Sequence, residues 1–133
     1  MELQLKHLDV YPKGLNGLEL WDKEDLQIVN ICSIHYTENT VKTNGFWSKP
    51  KDYKLLQPYL HPLSDLTKEI TVNRQTFIPI ERIQIYDPKN VDYLIEQVKL
   101  GFVEVIVFNI LLEWHFDVFS LIDNDLAINI SQK

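Results

Sequence analysis

Glu113, His115 and Asp117 stand at alternate positions in LLEWHFDVF and are the residue types from which an acid–base pair or a metal site is made. Their spacing argues against both. On the helix expected here, residues two apart point about 200° away from each other, so His115 cannot meet both acids on one face. Glu113 and Asp117, four apart, do share a face, where two carboxylates could hold a proton or a cation. No histidine stands three or four residues from them in the pattern of a zinc or di-iron centre, and a solvated acidic edge on a buried helix is the simpler reading. Cys32 and His35 are three apart in LQIVNICSIH, a β-branched run that reads as a strand. On a strand they face opposite sides, which excludes a nucleophile–base pair. Cys32 is the only cysteine, so no disulfide forms within the chain, and it is expected to pack as a small buried apolar residue. Asp123-Asn124-Asp125 offers the oxygen ligands that calcium takes, but lacks the rest of such a loop, including a glutamate about nine residues on. It reads as a helix end. With no Gly-x-Ser-x-Gly, Walker loop, Gly-x-Gly-x-x-Gly or Cys-x-x-Cys, the sequence offers no catalytic residue, metal site or cofactor, and the expectation is a protein that is not an enzyme.

A different chemistry is concentrated between positions 42 and 54. Lys42, Lys49, Lys51 and Lys54 meet one acid, Asp52, and are interleaved with Phe46, Trp47 and Tyr53. Lysines can meet phosphates while aromatic faces stack on bases, as in single-stranded nucleic-acid binding. Lys42, Trp47, Lys49, Lys51, Tyr53 and Lys54 are therefore candidate binding residues. The alternative is a solvated loop whose aromatics rest on the core. The net charge of −6, from 13 basic and 19 acidic residues, excludes a nucleic-acid binder that uses its whole surface. The charge asymmetry reverses further on. Between Lys99 and Lys133 there is no lysine or arginine, while Glu104, Glu113, Asp117, Asp123 and Asp125 all fall there beside Trp114, Phe116 and Phe119. Such a block suits a basic partner surface or serves solubility. Glu113 and Asp117 join the candidate contact residues on that ground.

The elements that must position these residues follow from periodicity and turn chemistry. The 133 residues, 45% of them apolar and 24% charged, suit a single α+β domain over 1–133. Residues 1–17 read as a short strand or extended arm ending in a turn. Leu18–Trp21 and Leu26–His35 read as a hairpin around the polar turn Asp22–Asp25. Asn44-Gly45 marks a tight turn, and Leu55–Leu60 is a short extended piece that Pro58 places at a sheet edge. Ser64 is expected to cap a helical turn, and Ile70–Val72 and Gln75–Ile80 to form a second hairpin around Asn73-Arg74, with Pro79 at an edge or strand end. Ile83–Tyr86 extends that strand or forms a bridge. Asp87 at the N-cap and Pro88 behind it open a helix whose face is Val91, Leu94, Ile95 and Val98, ended by Gly101. A second helix is expected over 104–122, with Asn124 in left-handed geometry after it. Leu126–Ile130 is a terminal strand. The fold class is thus N-terminal short antiparallel strands and hairpins, then two C-terminal helices and a short terminal strand. The longest apolar run is interrupted by Glu104, Asn109, Glu113, His115 and Asp117, so no membrane span is expected, and no signal peptide opens the chain.

Three phrases carry a resemblance. PLSDLTKEI followed by V-N-x-x-x-F-I-P-I within Leu60–Glu81, LLEWHFDVFSLIDNDLAINI over Leu111–Ile130, and the opening HLDVYPKGL resemble segments of uncharacterised proteins of Bacteroidetes phages and prophages. The chain departs from them at Arg74, Ser120 and Asn124, where glycine is common in that family. The resemblance implies a small accessory protein of a mobile element, with no catalytic residues to carry over, working in the cytoplasm of a bacterial host. In size, acidity and lack of an active site the chain is similar to anti-CRISPR proteins. That implies an inhibitor that binds an RNA-guided CRISPR nuclease, of type VI-B within the Bacteroidetes, or the nuclease with its guide RNA. A small phage structural or assembly adaptor and a single-stranded nucleic-acid-binding module are the alternatives, and the oligomeric state is left open.

Overall fold

β-Branched and apolar residues alternating with polar ones build most of the N-terminal half. The computed structural model describes residues 1–14, 17–45 and 49–133, which divide into two units: residues 1–60 with 121–133, and residues 61–120. The fold is α+β, with strands in the N-terminal half, helices after them and a short strand near the end.

The first unit is a six-stranded mixed sheet. Strands β1 (Glu19–Asp22) and β2 (Gln27–His35) form the expected hairpin, with Leu20 opposite Val29. β3 (Thr40–Thr43) continues the sheet from β2, and β4 (Lys51–Asp52) pairs with β3. On the other side β5 (Leu56–Leu60) pairs antiparallel to β1 and parallel to β8 (Ile128–Asn129), giving the order β4-β3-β2-β1-β5-β8. Leu18, Leu20, Ile31, Val41, Leu56 and Leu60 are fully buried and form the apolar centre of this unit.

Several expectations are corrected in this unit. Residues Leu5–Asp9 form a short helix, α1, in place of an extended arm. Leu5 and Leu8 fall on one helical face and are buried, and the Gln4 backbone N–H donates to Nδ1 of His7 at 3.0 Å, which closes the first turn. Pro58 does not lie on an edge: β5 has a neighbour on each side. β8 pairs only with Tyr59 and Leu60, so the missing N–H of Pro58 costs that ladder nothing. Cys32 is exposed. The register between β2 and β3 slips by one residue between Ile31 and Ser33, and Cys32 is the extra residue of that bulge.

The second unit begins at His61. A 3₁₀ turn over Leu63–Thr67 follows Pro62, which takes the N-cap position expected of Ser64, and it buries Leu66. β6 (Ile70–Val72) and β7 (Gln75–Phe77) form the expected hairpin. Both turn residues, Asn73 at φ 50° and Arg74 at φ 68°, are left-handed, the geometry that matches the right-handed twist of a hairpin. Pro79 starts a helix, α2 (Pro79–Ile83), where its missing N–H is not needed, and Ile83–Tyr86 is the end of that helix and a turn, not strand.

Helix α3 (Val91–Leu100) begins three residues later than expected. Asn90 is its N-cap, with its side-chain oxygen accepting from Tyr93 N–H at 2.8 Å, and Gly101 at φ 77° ends it. Helix α4 (Val105–Glu113) stops nine residues short of position 122. His115 takes φ 61°, and the chain then runs beside His61: the His61 N–H donates to His115 O at 2.8 Å, and the Asp117 N–H donates to His61 O at 2.9 Å. Phe116, Asp117 and Val118 are buried in succession, a pattern an extended segment enclosed on both faces can satisfy and a helix cannot. After it, in the first unit, Asp125 rather than Asn124 is left-handed, at φ 58°. Among the described residues no helix is long and apolar enough to cross a membrane.

Candidate functional site

The lysines of 42–54 are separated by the strand alternation. On β3, Val41 and Thr43 point inward and Lys42 outward. Lys49 and Lys54 are also exposed, and the Lys54 ammonium lies 6.0 Å from the centre of the half-buried Tyr53 ring. Trp47, with Phe46, lies outside the described residues. Lys51 does not belong with the others. It points inward from β4 with 5% of its side chain exposed, and its ammonium donates to Glu24 Oε1 and Asp25 Oδ2, each at 2.6 Å. Asp22 Oδ2, fully buried, is 3.6 Å from the same ammonium. Asp22 Oδ1 meanwhile accepts the backbone N–H groups of Glu24 and Asp25 at 2.9 and 3.1 Å, which shapes the β1–β2 turn. Burial alone would pull the Lys51 pKa down. The hydrogen bonds to Asp25 and Glu24 and the charge of Asp22 outweigh it, and the ammonium titrates above its ordinary range. Lys51 is therefore a structural cation committed to three acids, not a phosphate contact. The turn Asp-Lys-Glu-Asp was legible as a polar turn, but nothing in it announces a lysine from 26 or more positions away as its counter-ion.

Glu113 and Asp117 are not a pair on one helix face. Glu113 is the exposed last residue of α4, whereas Asp117 lies beyond the helix and is buried. Beside Asp117 runs the buried His61, whose carbonyl accepts the Asp117 N–H, whose Nδ1 is 3.3 Å from Asp65 Oδ2 and whose ring centre lies 5.3 Å from that of Phe116. Burial holds the His61 pKa below its ordinary value, against the opposing pull of Asp65. Among the described residues no group of three or more His, Cys, Asp or Glu is placed to hold a metal ion.

Two further surfaces were not foreseen. In the first unit a cleft of about 310 Å³ has Leu3, Leu56 and Leu126 among its lining. Its volume is at the low end for small-molecule sites, and Lys23 and Lys54 in its lining are balanced by Glu2 and Asp125. In the second unit the α3–α4 connection displays apolar side chains to solvent. Leu100 is 57% exposed, Phe102 74%, Val105 75% and Ile106 51%. Tyr93, on the outward face of α3 with Leu100, adds to them. The cap geometry makes Phe102 notable. Its backbone N–H donates to Gln97 O at 3.0 Å, past the left-handed Gly101, an arrangement in which the residue after the glycine commonly folds an apolar side chain back onto the helix. Phe102 stays outside instead. The signal for this surface was present in the sequence: VIVFNILL is apolar almost all round, more than one buried face of a nine-residue helix requires.

Compared with known proteins, the chain matches no protein family, no curated protein and no solved structure.

Proposed function

We propose that this chain is a binding protein without catalytic activity, a phage or prophage inhibitor that docks on an RNA-guided CRISPR nuclease of type VI-B in its bacterial host and disables it. The observation that carries the docking half of this reading is the exposed apolar series Leu100, Phe102, Val105 and Ile106. Soluble proteins seldom leave side chains of this size in water in close succession unless another surface covers them. The phage half rests on the resemblance of PLSDLTKEI, LLEWHFDVF and HLDVYPKGL to phage and prophage proteins. The host cytoplasm is the compartment in which such a nuclease works. The three lysines that remain exposed, Lys42, Lys49 and Lys54, would give a secondary contact to guide RNA.

The test is a plasmid-clearance assay in a host carrying the nuclease, with and without the protein, paired with recovery of the tagged protein from lysate. Loss of interference together with recovery of the nuclease supports the reading. Intact interference with no nuclease recovered rejects it. The same apolar series also favours a second reading, a small phage assembly adaptor that covers it with another copy. Light scattering separates the two, since the adaptor must assemble into a symmetric oligomer.

A further inference from the structure

The charges around the exposed apolar series restrict what can cover it. From Asp87 to Glu113 the acids are Asp87, Asp92, Glu96, Glu104 and Glu113 and the bases are Lys89 and Lys99. The Lys89 ammonium lies 5.1 Å from the centre of the Tyr93 ring and 3.6 Å from Asp87 Oδ2. Asp92 and Glu96 lie on the outward face of α3, which also carries Tyr93 and Leu100. Glu104 is the exposed N-cap of α4 and precedes Val105 in the sequence. Acids therefore outnumber bases along the stretch that exposes Tyr93, Leu100, Phe102, Val105 and Ile106.

We infer that this face binds an apolar protein segment flanked by lysine or arginine, an amphipathic helix with a basic rim. The inference rests on the proposed docking role and names the chemistry of the surface that the partner must offer. Leu100, Phe102, Val105 and Ile106 supply the apolar anchors, and Glu96 and Glu104 select the sign of the flanking charge. A second copy of this chain, which the adaptor reading requires, would set the acids of one copy against those of the other, so a basic-flanked helix fits the charge better. Nucleic acid is disfavoured because the acids outnumber Lys89 and Lys99 there and repel phosphate.

The experiment uses the intact protein and two probe peptides of about 15 residues, helical and identical in their leucine face, one with lysines and one with glutamates on its flanks. Binding is measured by fluorescence anisotropy at salt concentrations from roughly 50 to 300 mM. The lysine peptide is expected to bind at least about tenfold more tightly than the glutamate peptide, with the difference shrinking as salt rises. Glu96→Lys with Glu104→Lys is expected to reverse the preference, and Phe102→Ser with Val105→Ser to abolish binding of both peptides. All four positions are exposed, so both variants should fold, which circular dichroism checks. Equal binding of the two peptides, no binding of either, or lysine-peptide binding that survives Phe102→Ser with Val105→Ser overturns the inference. Because the peptides are independent of any nuclease, failure here is distinct from failure of the interference assay. An inhibitor that blocks the nuclease but ignores peptide charge keeps its function and loses this surface chemistry.

Discussion

The Lys51 ammonium lies 3.6 Å from the buried carboxylate of Asp22, and that one relationship removes a lysine from the candidate nucleic-acid surface and makes it part of the scaffold. Glu24 and Asp25 complete the ion cluster from the turn that Asp22 itself shapes. Lys51→Ala leaves Asp22 buried without its counter-ion and is expected to cost about 3 kcal/mol. Lys42→Ala and Lys49→Ala, on exposed side chains, should stay within about 0.5 kcal/mol of the parent. Urea denaturation checks both. A loss of RNA binding confined to Lys51→Ala would accordingly report unfolding rather than a phosphate contact.

Arg74 occupies the second left-handed position of the β6–β7 turn, at φ 68°. An L side chain is strained there and glycine is not. Arg74→Gly is expected to stabilise the protein by about 0.5–1 kcal/mol, even after the extra entropy glycine loses on folding. A thermal melt that moves downward would show that the arginine side chain makes a stabilising contact outweighing the strain.

Asn90 caps α3 through the Tyr93 N–H. Asn90→Ala should cost about 1 kcal/mol, and Asn90→Asp should be nearly neutral, because a carboxylate accepts the same bond at a helix N-terminus. If the two substitutions are equally costly, the cap is not what Asn90 contributes.

His61 is expected to make the protein sensitive to acid. Burial lowers its folded pKa, so the unfolded chain binds its proton first as pH falls. The stability that the neutral ring contributes is present above about pH 6.5 and is lost as pH drops from there through the lowered folded value. Asp65 works against the shift but does not cancel it. Urea midpoints measured between pH 7.5 and 5 should fall for the parent and fall less for His61→Gln. Parallel curves would remove His61 as the cause.

The expectations that held rest on local chemistry. The β1–β2 and β6–β7 hairpins, the stop at Gly101 and the terminal strand are set by turn residues and by alternation that neighbours a few positions away can read. Those that were corrected depend on partners far along the chain. VEVIVFNILLEWHFDVF reads as one long helix because its apolar residues are dense enough to satisfy helical spacing at any length. It breaks after Glu113, where the chain pairs beside His61, 55 residues before Phe116, and Phe116 and Asp117 are buried. Cys32 is exposed because of a one-residue slip against β3, a strand the sequence hid inside a lysine-rich loop. The candidate site divided in the same way. Lys42, Lys49 and Lys54 are exposed as strand and loop patterning suggests, whereas Lys51 and Asp117 are drawn inward by contacts no spacing rule conveys. Phe102 and Val105 are exposed, although apolar residues in a dense run are usually covered.

On the proposed function, the exposed apolar residues of Leu100–Ile106 are what docks on the nuclease. The most direct measurement is target-RNA cleavage by purified, guide-loaded type VI-B nuclease titrated with the parent protein and with the Phe102→Ser, Val105→Ser double variant. The expected result is stoichiometric inhibition by the parent and an inhibitory concentration raised by at least about tenfold in the folded double variant. Undiminished cleavage in the presence of excess parent protein, or equal inhibition by the two, would contradict it.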